Sequence, residues 1–171
     1  MKVAALYVQP RSIYSTFQDV ELFDLARDAR TYGGPWPVIA HPPCRAWGKY
    51  KAWAKPRDGE RDLAFHALEQ VNRYGGVFEH PVGSTFFQEA GIPASRLWRV
   101  NQVDFGHRAI KATWLYLVGC HPPQNMPPAG RPVTTVERLC RQERERTPET
   151  FARLLVDLAR SVHPQNYQAL A

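Results

Sequence analysis

The chain has 171 residues, enough for one domain (residues 1–171) with a real core and too few for several. Its net charge of +6 suits a polyanionic partner as well as a solvated surface. Three cysteines, Cys44, Cys120 and Cys140, show no paired spacing, which argues against a disulfide framework. With no signal-like segment or long apolar run, the expectation is a soluble cytoplasmic protein with no membrane partner.

Val3-Ala4-Ala5-Leu6-Tyr7-Val8 reads as a strand stopped at Pro10. The turn after it, Gln9 to Tyr14, contains no glycine, whereas a dinucleotide or S-adenosylmethionine site usually needs one there for close backbone approach. Val20 to Tyr32 reads as helical in its second half, from the spacing of Leu22, Phe23, Ala26 and Ala29, and Gly33-Gly34-Pro35 stops it. Val38-Ile39-Ala40 is a short buried strand, and His41-Pro42-Pro43-Cys44 turns the chain at its carboxyl end. Ligands bind at that end in open α/β sheets. Cys44 on this rigid corner, with Arg45 beside it to favour a thiolate, reads as a nucleophile; a buried, inert cysteine would give the same letters.

From Gly48 to Gly59 runs a basic, aromatic loop with Lys49, Tyr50, Lys51, Trp53, Lys55 and Arg57. Basic and aromatic residues interleaved in this way suit phosphate contacts and base stacking. Asp58 is expected to cap a helix from about Glu60 to Tyr74, with Leu63, Ala67, Val71 and Tyr74 on one face and Gly75-Gly76 as its stop. Val77-Phe78-Glu79 reads as a second buried strand ended by His80-Pro81. Strand, helix and strand from Val38 to Glu79 then form a βαβ unit, with Cys44 and Glu79 at one edge of two parallel neighbours.

A mixed loop leads to Val100–Arg108 and the strand Thr113 to Val118. His121 to Pro132 is Pro-rich, and Arg138 to Arg146 reads as a solvated helix or loop. In the last helix, capped by Thr147 with Pro148 at its first position, Phe151, Leu154, Leu155, Leu158 and Val162 form an apolar stripe. The fold expected is α/β, a mostly parallel sheet with flanking helices.

With these places in hand, the chain resembles the DNA (cytosine-5)-methyltransferases, and more closely the short phage-encoded "AHPPC" proteins that look like trimmed relatives of them. Pro42-Pro43-Cys44 matches the family's Pro-Cys motif. Val77-Phe78-Glu79-His80-Pro81 matches the strand ending in its Glu-Asn-Val motif, with His80 and Pro81 replacing Asn and Val. Val100 to Gly106 and then Leu115 to Gly119 are similar to its "NAADYG…RVFIVG" segment, whose arginines are only loosely represented by Arg108 and Lys111. The resemblance implies a reduced Rossmann-like, methyltransferase-like domain that modifies pyrimidines in DNA at carbon-5, with cytosine favoured. It implies Cys44 and Glu79 as catalytic residues. His41, Pro43, Arg45, Trp47, His80, Asn101, His107, Arg108 and Lys111 become candidates for holding substrate. Lys49, Lys51, Trp53, Lys55 and Arg57 become candidates for holding nucleic acid.

In that chemistry a thiolate adds to carbon-6 and makes carbon-5 nucleophilic, while a carboxyl serves ring nitrogen-3 and the exocyclic amine. The missing glycines, and a Val8–Val38 stretch that reads as too short for the usual adenosine-binding strands, leave S-adenosylmethionine doubtful. A homodimer or partner protein could complete such a site, or an activated 5-substituent on the base could replace the methyl donor. His41 and Cys44 with Cys120 and His121 could supply four zinc ligands, but the spacing fits no familiar site and no metal is expected. Three other readings stand: a conventional S-adenosylmethionine-dependent cytosine-5 methyltransferase, a non-catalytic nucleic-acid-binding or anti-restriction module, and an enzyme acting on free pyrimidine nucleotides.

Overall fold

The structure, a computed structural model, describes residues 1–49 and 51–163. Six strands form one mixed sheet: β1 (Val3–Leu6), β2 (Val20–Phe23), β3 (Val38–Ala40), β4 (Gly76–Pro81), β5 (Leu97–Asn101) and β6 (Ala112–Val118). They lie in the order β2-β1-β3-β4-β6-β5. The first four run parallel, whereas β6 is antiparallel to both its neighbours.

Every residue of β1 and β3 is buried, as strands covered on both faces require. On one face Val3, Ala5, Ile39, Val77 and Leu115 pack against α4 (Glu149–Arg160). That helix presents Phe151, Leu155, Leu158 and Ala159 at helical spacing, with Glu149 in its first turn and Arg160 in its last, each suited to the helix dipole. Burying a Phe or Leu side chain contributes about 1.5–3 kcal/mol, so a charge at Leu155 would detach this layer. On the other face Ala4, Leu6, Val38, Ala40, Phe78 and Tyr116 meet α1 (Asp62–Tyr74) through Ala64, Ala67 and Val71, and the short α2 (Phe86–Glu89) through Phe86 and Phe87. Gly75 ends α1 with φ 73°, its N–H donating to the Val71 carbonyl. The next residue, Gly76, starts β4 so close to β3 that a Cβ there would lie 1.9 Å from the Val38 carbonyl oxygen.

Several expected elements are corrected. Val20–Phe23 is the edge strand β2, paired in register with β1, where a helix is expected; 24–37 then holds only a 3-10 turn at Ala29–Thr31. The Val8–Val38 stretch therefore does accommodate a strand. Leu22, Phe23, Ala26 and Ala29 mimic helical spacing, but Leu22 and Phe23 pair with Ala5 and Leu6 of β1, and beyond them the Asp24 carboxylate accepts from the Ala26 and Arg27 N–H groups in a local turn. Strand β5, half-exposed at the other edge, falls in the expected mixed loop. His80 and Pro81 continue β4 rather than ending it, pairing with Trp114 and Thr113. Asp58 is exposed and does not cap α1, which starts at Asp62 without a side-chain cap. Pro148, not Thr147, takes the N-cap position of α4. The 138–146 segment is exposed apart from Leu139 and Glu143, and contains α3 (Arg141–Glu145). No helix among the described residues is long and apolar enough to cross a membrane.

Candidate functional site

Strand order decides where a site can form. β1 is followed by β2 on one side and β3 by β4 on the other, so the chain parts between β1 and β3, and their carboxyl ends are where open α/β sheets bind ligands. The turn after β1 carries Tyr14, the turn after β3 carries His41 to Cys44, and the carboxyl half of β4 carries Glu79. Because β6 is reversed, its amino end lies at the same edge, which brings Lys111 and, from the end of β5, Gln102 to this place.

These side chains form one hydrogen-bonded chain. Tyr14 Oη is 2.8 Å from His41 Nε2, and His41 Nδ1 is 3.0 Å from Glu79 Oε2. Gln102 Nε2 donates to Glu79 Oε1 at 3.4 Å and to Thr113 Oγ1 at 3.0 Å. Burial, and then the Glu79 charge, raise the Tyr14 pKa well above 10, so the phenol stays protonated and donates. His41 then accepts at Nε2 and donates Nδ1–H to the carboxylate, the tautomer these partners assign. Burial alone would raise the Glu79 pKa. The hydrogen bond from His41, with the positive charge of Lys111, outweighs it and holds the carboxyl below its usual range. Glu79 is therefore ionised at neutral pH, and its oxygens keep lone pairs for a further donor.

Cys44 is exposed beside this network. The protein wall around its sulfur pushes the thiol pKa up, Glu79 adds to the rise, and Lys111 pulls the other way. Arg45 does not favour the thiolate as expected. It is committed to Glu60, donating from Nε to Oε1 at 2.8 Å and from Nη2 to Oε2. Glu60, only 4% exposed, also accepts from the Arg57 N–H, so this pair staples the loop after Cys44 to the start of α1.

Other expected substrate contacts turn out to be structural. Trp47 is fully buried, edge-on to Phe65 and Phe86 with the Arg61 guanidinium 4.0 Å from its ring centroid. His80, 1% exposed, bonds Ser84 Oγ at 2.7 Å; burial drives its pKa down to about 4 against the pull of Glu79 and the Pro43 carbonyl. Its ring packs among Phe78, Phe86 and Phe87. Asn101 Oδ1 accepts from the Val103 and Lys111 N–H groups and so fixes the turn that delivers Lys111. His107 is buried, its Nδ1 within 2.8 Å of the Ala109 carbonyl and 3.1 Å of the Ala109 N–H. Arg108 is exposed and ion-paired with Glu143.

Pro43 is half-buried at the corner itself. Lys49, Lys51, Trp53, Lys55 and Arg57 line an exposed loop, in which Lys51 donates to Thr85 Oγ1 at 3.0 Å; Tyr50 lies outside the described residues. Sequence reasoning did not single out Tyr14, Gln102 or Glu60, each of which gains meaning only from a partner distant in the chain.

Two further groups can be placed. The residues after β1 make no glycine cradle for S-adenosylmethionine: Tyr7 and Arg11 hold left-handed backbone (φ 60° and 62°), and Gln9 reaches Glu145 of α3 at 3.5 Å. Cys120 follows β6 at the opposite edge of the sheet, bonding the Gly76 carbonyl, so the Cys120-His121 pair cannot share an ion with His41 and Cys44. A cavity of about 650 Å³ lies against α4, lined by Ile13, Phe17, Arg153 and Arg160 among others, and none of the residues of this network lines it. The chain matches no protein-family model and no curated protein sequence.

Proposed function

We propose that the protein is a DNA pyrimidine-modifying enzyme, a reduced Rossmann-like relative of the DNA (cytosine-5)-methyltransferases, in which Cys44 adds to carbon-6 of a cytosine. The observation that carries this reading is an exposed cysteine beside an ionised, network-held carboxylate at the carboxyl-end edge of a mostly parallel sheet.

The first step balances without a co-reactant. The Cys44 sulfur bonds carbon-6, the carbon-5–carbon-6 π pair shifts to the carbon-4–carbon-5 bond, the nitrogen-3–carbon-4 π pair moves onto nitrogen-3, and the thiol proton ends there. Carbon-5 becomes enamine-like and nucleophilic. Glu79 accepts from the exocyclic amine and carries the proton toward nitrogen-3, while Lys111 offsets the charge on sulfur. An ionised carboxylate favours cytosine, because the carbonyl that uracil presents in place of the amine would face it lone pair to lone pair. The basic loop at 49–57 holds the phosphates.

The test uses an oligonucleotide containing 5-azacytosine, whose carbon-6 accepts a thiolate without any methyl donor. Intact-protein mass spectrometry should find a one-to-one covalent adduct with the wild type and none with Cys44→Ser. No adduct with either protein would end the catalytic reading.

A further inference from the structure

Resting on the nucleic-acid reading above, we propose that residues 131–146 form the second wall of a groove, opposite the basic loop, that holds a single DNA strand across Cys44.

The segment is built as a wall. Its start is pressed onto the turn at Gln102–Phe105: the Gly130 N–H donates to Asp104 Oδ1 at 2.8 Å, and a Cβ at Gly130 would lie 2.1 Å from the Val103 carbonyl oxygen. Thr134 forms a bridge with Ala109, the Val133 N–H donates to the Arg108 carbonyl, and Leu139 is buried. Beyond it, Glu143 pairs with Arg108, and Glu145 reaches Gln9 at the mouth of the β1 turn.

The hydrogen bond between Glu145 and Gln9 sets α3 beside the turn after β1, and its charges reach the groups around Cys44. Glu145 acts on the Cys44 thiol, and Arg141 feels Glu60, the carboxylate that holds Arg45. The two walls approach from opposite sides of the sheet. The basic loop follows Trp47, which belongs to the core on the α1 face, whereas 131–146 leads directly into α4 on the other face. Cys44 lies at the strand edge between them.

Charge says what the groove holds. Arg131, Arg138, Arg144 and Arg146 are exposed and enter no ion pair among the described residues. In the basic loop, Lys49, Lys51, Lys55 and Arg57 are exposed as well. Dispersed guanidinium and ammonium groups along two rims match a repeating phosphate backbone better than a single small anion. A single strand can turn a base toward Cys44 without the few kcal/mol needed to flip it from a duplex.

The experiment measures fluorescence anisotropy of a labelled mixed-sequence single-stranded DNA over a salt series. It compares the wild type, Arg138→Gln/Arg144→Gln/Arg146→Gln, and a control of equal charge, Lys2→Gln/Arg73→Gln/Arg99→Gln. Each lost phosphate contact should remove about 0.7 from the slope of log K against log salt, so the rim variant should lose about 2 and bind at least tenfold more weakly. The control should change less than threefold, with melting temperatures alike in all three. Equal losses in the rim variant and the control, or tighter binding of duplex than of single strand, would overturn the second wall and leave the nucleic-acid reading standing. No salt-dependent binding by the wild type would overturn both, whereas the expected pattern without a 5-azacytosine adduct would support the wall and remove the chemistry.

Discussion

His80 offers a direct check on the reasoning about burial. It is 1% exposed within β4, with Nδ1 satisfied by Ser84 and Nε2 making no hydrogen bond. Burial lowers its pKa from 6.5 to about 4. The unfolded chain regains the ordinary value, so between these limits it binds more protons than the folded one. Stability from neutral His80 is therefore complete above about pH 6.5 and is lost as pH falls through about 4. The difference of some 2.5 units corresponds to about 3 kcal/mol, a large part of a typical stability of about 5–15 kcal/mol. Urea unfolding followed by tryptophan fluorescence between pH 4 and 8 would measure it in the wild type and in His80→Gln. Other titrating groups are common to both proteins, so the wild-type advantage should shrink by about 3 kcal/mol on going from pH 7 to pH 4. An advantage that stays constant with pH would refute the argument.

The Arg45–Glu60 staple should break asymmetrically, because Arg45 is 37% exposed and Glu60 only 3% at the side chain. Arg45→Met strands a buried carboxylate and should cost about 2–4 kcal/mol in urea unfolding, whereas Glu60→Gln leaves a guanidinium that water can reach and should cost about 1; the reverse order would contradict the assignment. Glu79→Gln removes the carboxylate that raises the Cys44 thiol, so iodoacetamide labelling of Cys44, resolved by peptide mass spectrometry, should shift to lower pH. Arg45→Met should leave that profile in place, and a profile moved upward by Arg45→Met would restore Arg45 as a thiolate partner. Gly76→Ala forces a Cβ into the Val38 carbonyl at φ 123° and should destabilise by about 3 kcal/mol or more; a melting temperature near wild type would mean that β3 and β4 are spaced differently.

The parts of the fold legible in the sequence are those specified locally. Val38–Ala40 and Val77–Glu79 are apolar runs bounded by glycine and proline, and the stripe from Phe151 to Val162 has a clear helical period; each forms the expected element. The βαβ unit between the two strands follows from chain connectivity, and β3 and β4 are parallel neighbours. Elements at the sheet edges were not legible, because β2 and β5 are half-exposed and their composition is shaped on one side only. The same limit governs the site. Cys44 stands out because prolines fix its corner, but Tyr14 becomes a partner of His41, 27 residues further along the chain, only through the pairing of β1 with β3. Trp47 and His80 misled for a related reason: closeness to Cys44 and Glu79 along the chain says nothing about which face of a strand or loop turns inward. Alternation along β4 puts Glu79 on the Tyr14 face and His80 among Phe78, Phe86 and Phe87 on the other.

That alternation also bears on how the proposed reaction would be controlled. The site pushes two neighbouring groups apart: the Cys44 thiol upward by the surrounding wall and Glu79, the Glu79 carboxyl downward by His41 and Lys111. At rest the proton stays on sulfur and the negative charge on Glu79, so the nucleophile is held in its less reactive form. In the proposed reaction a cytosine would change the balance, because its exocyclic amine would donate to Glu79 and screen the charge that opposes the thiolate. Sulfur would then lose its proton where nitrogen-3 can receive it. The buried Tyr14–His41 pair would keep Glu79 oriented and ionised through this exchange. Substrate binding would thereby supply the activation that Arg45, locked to Glu60, does not.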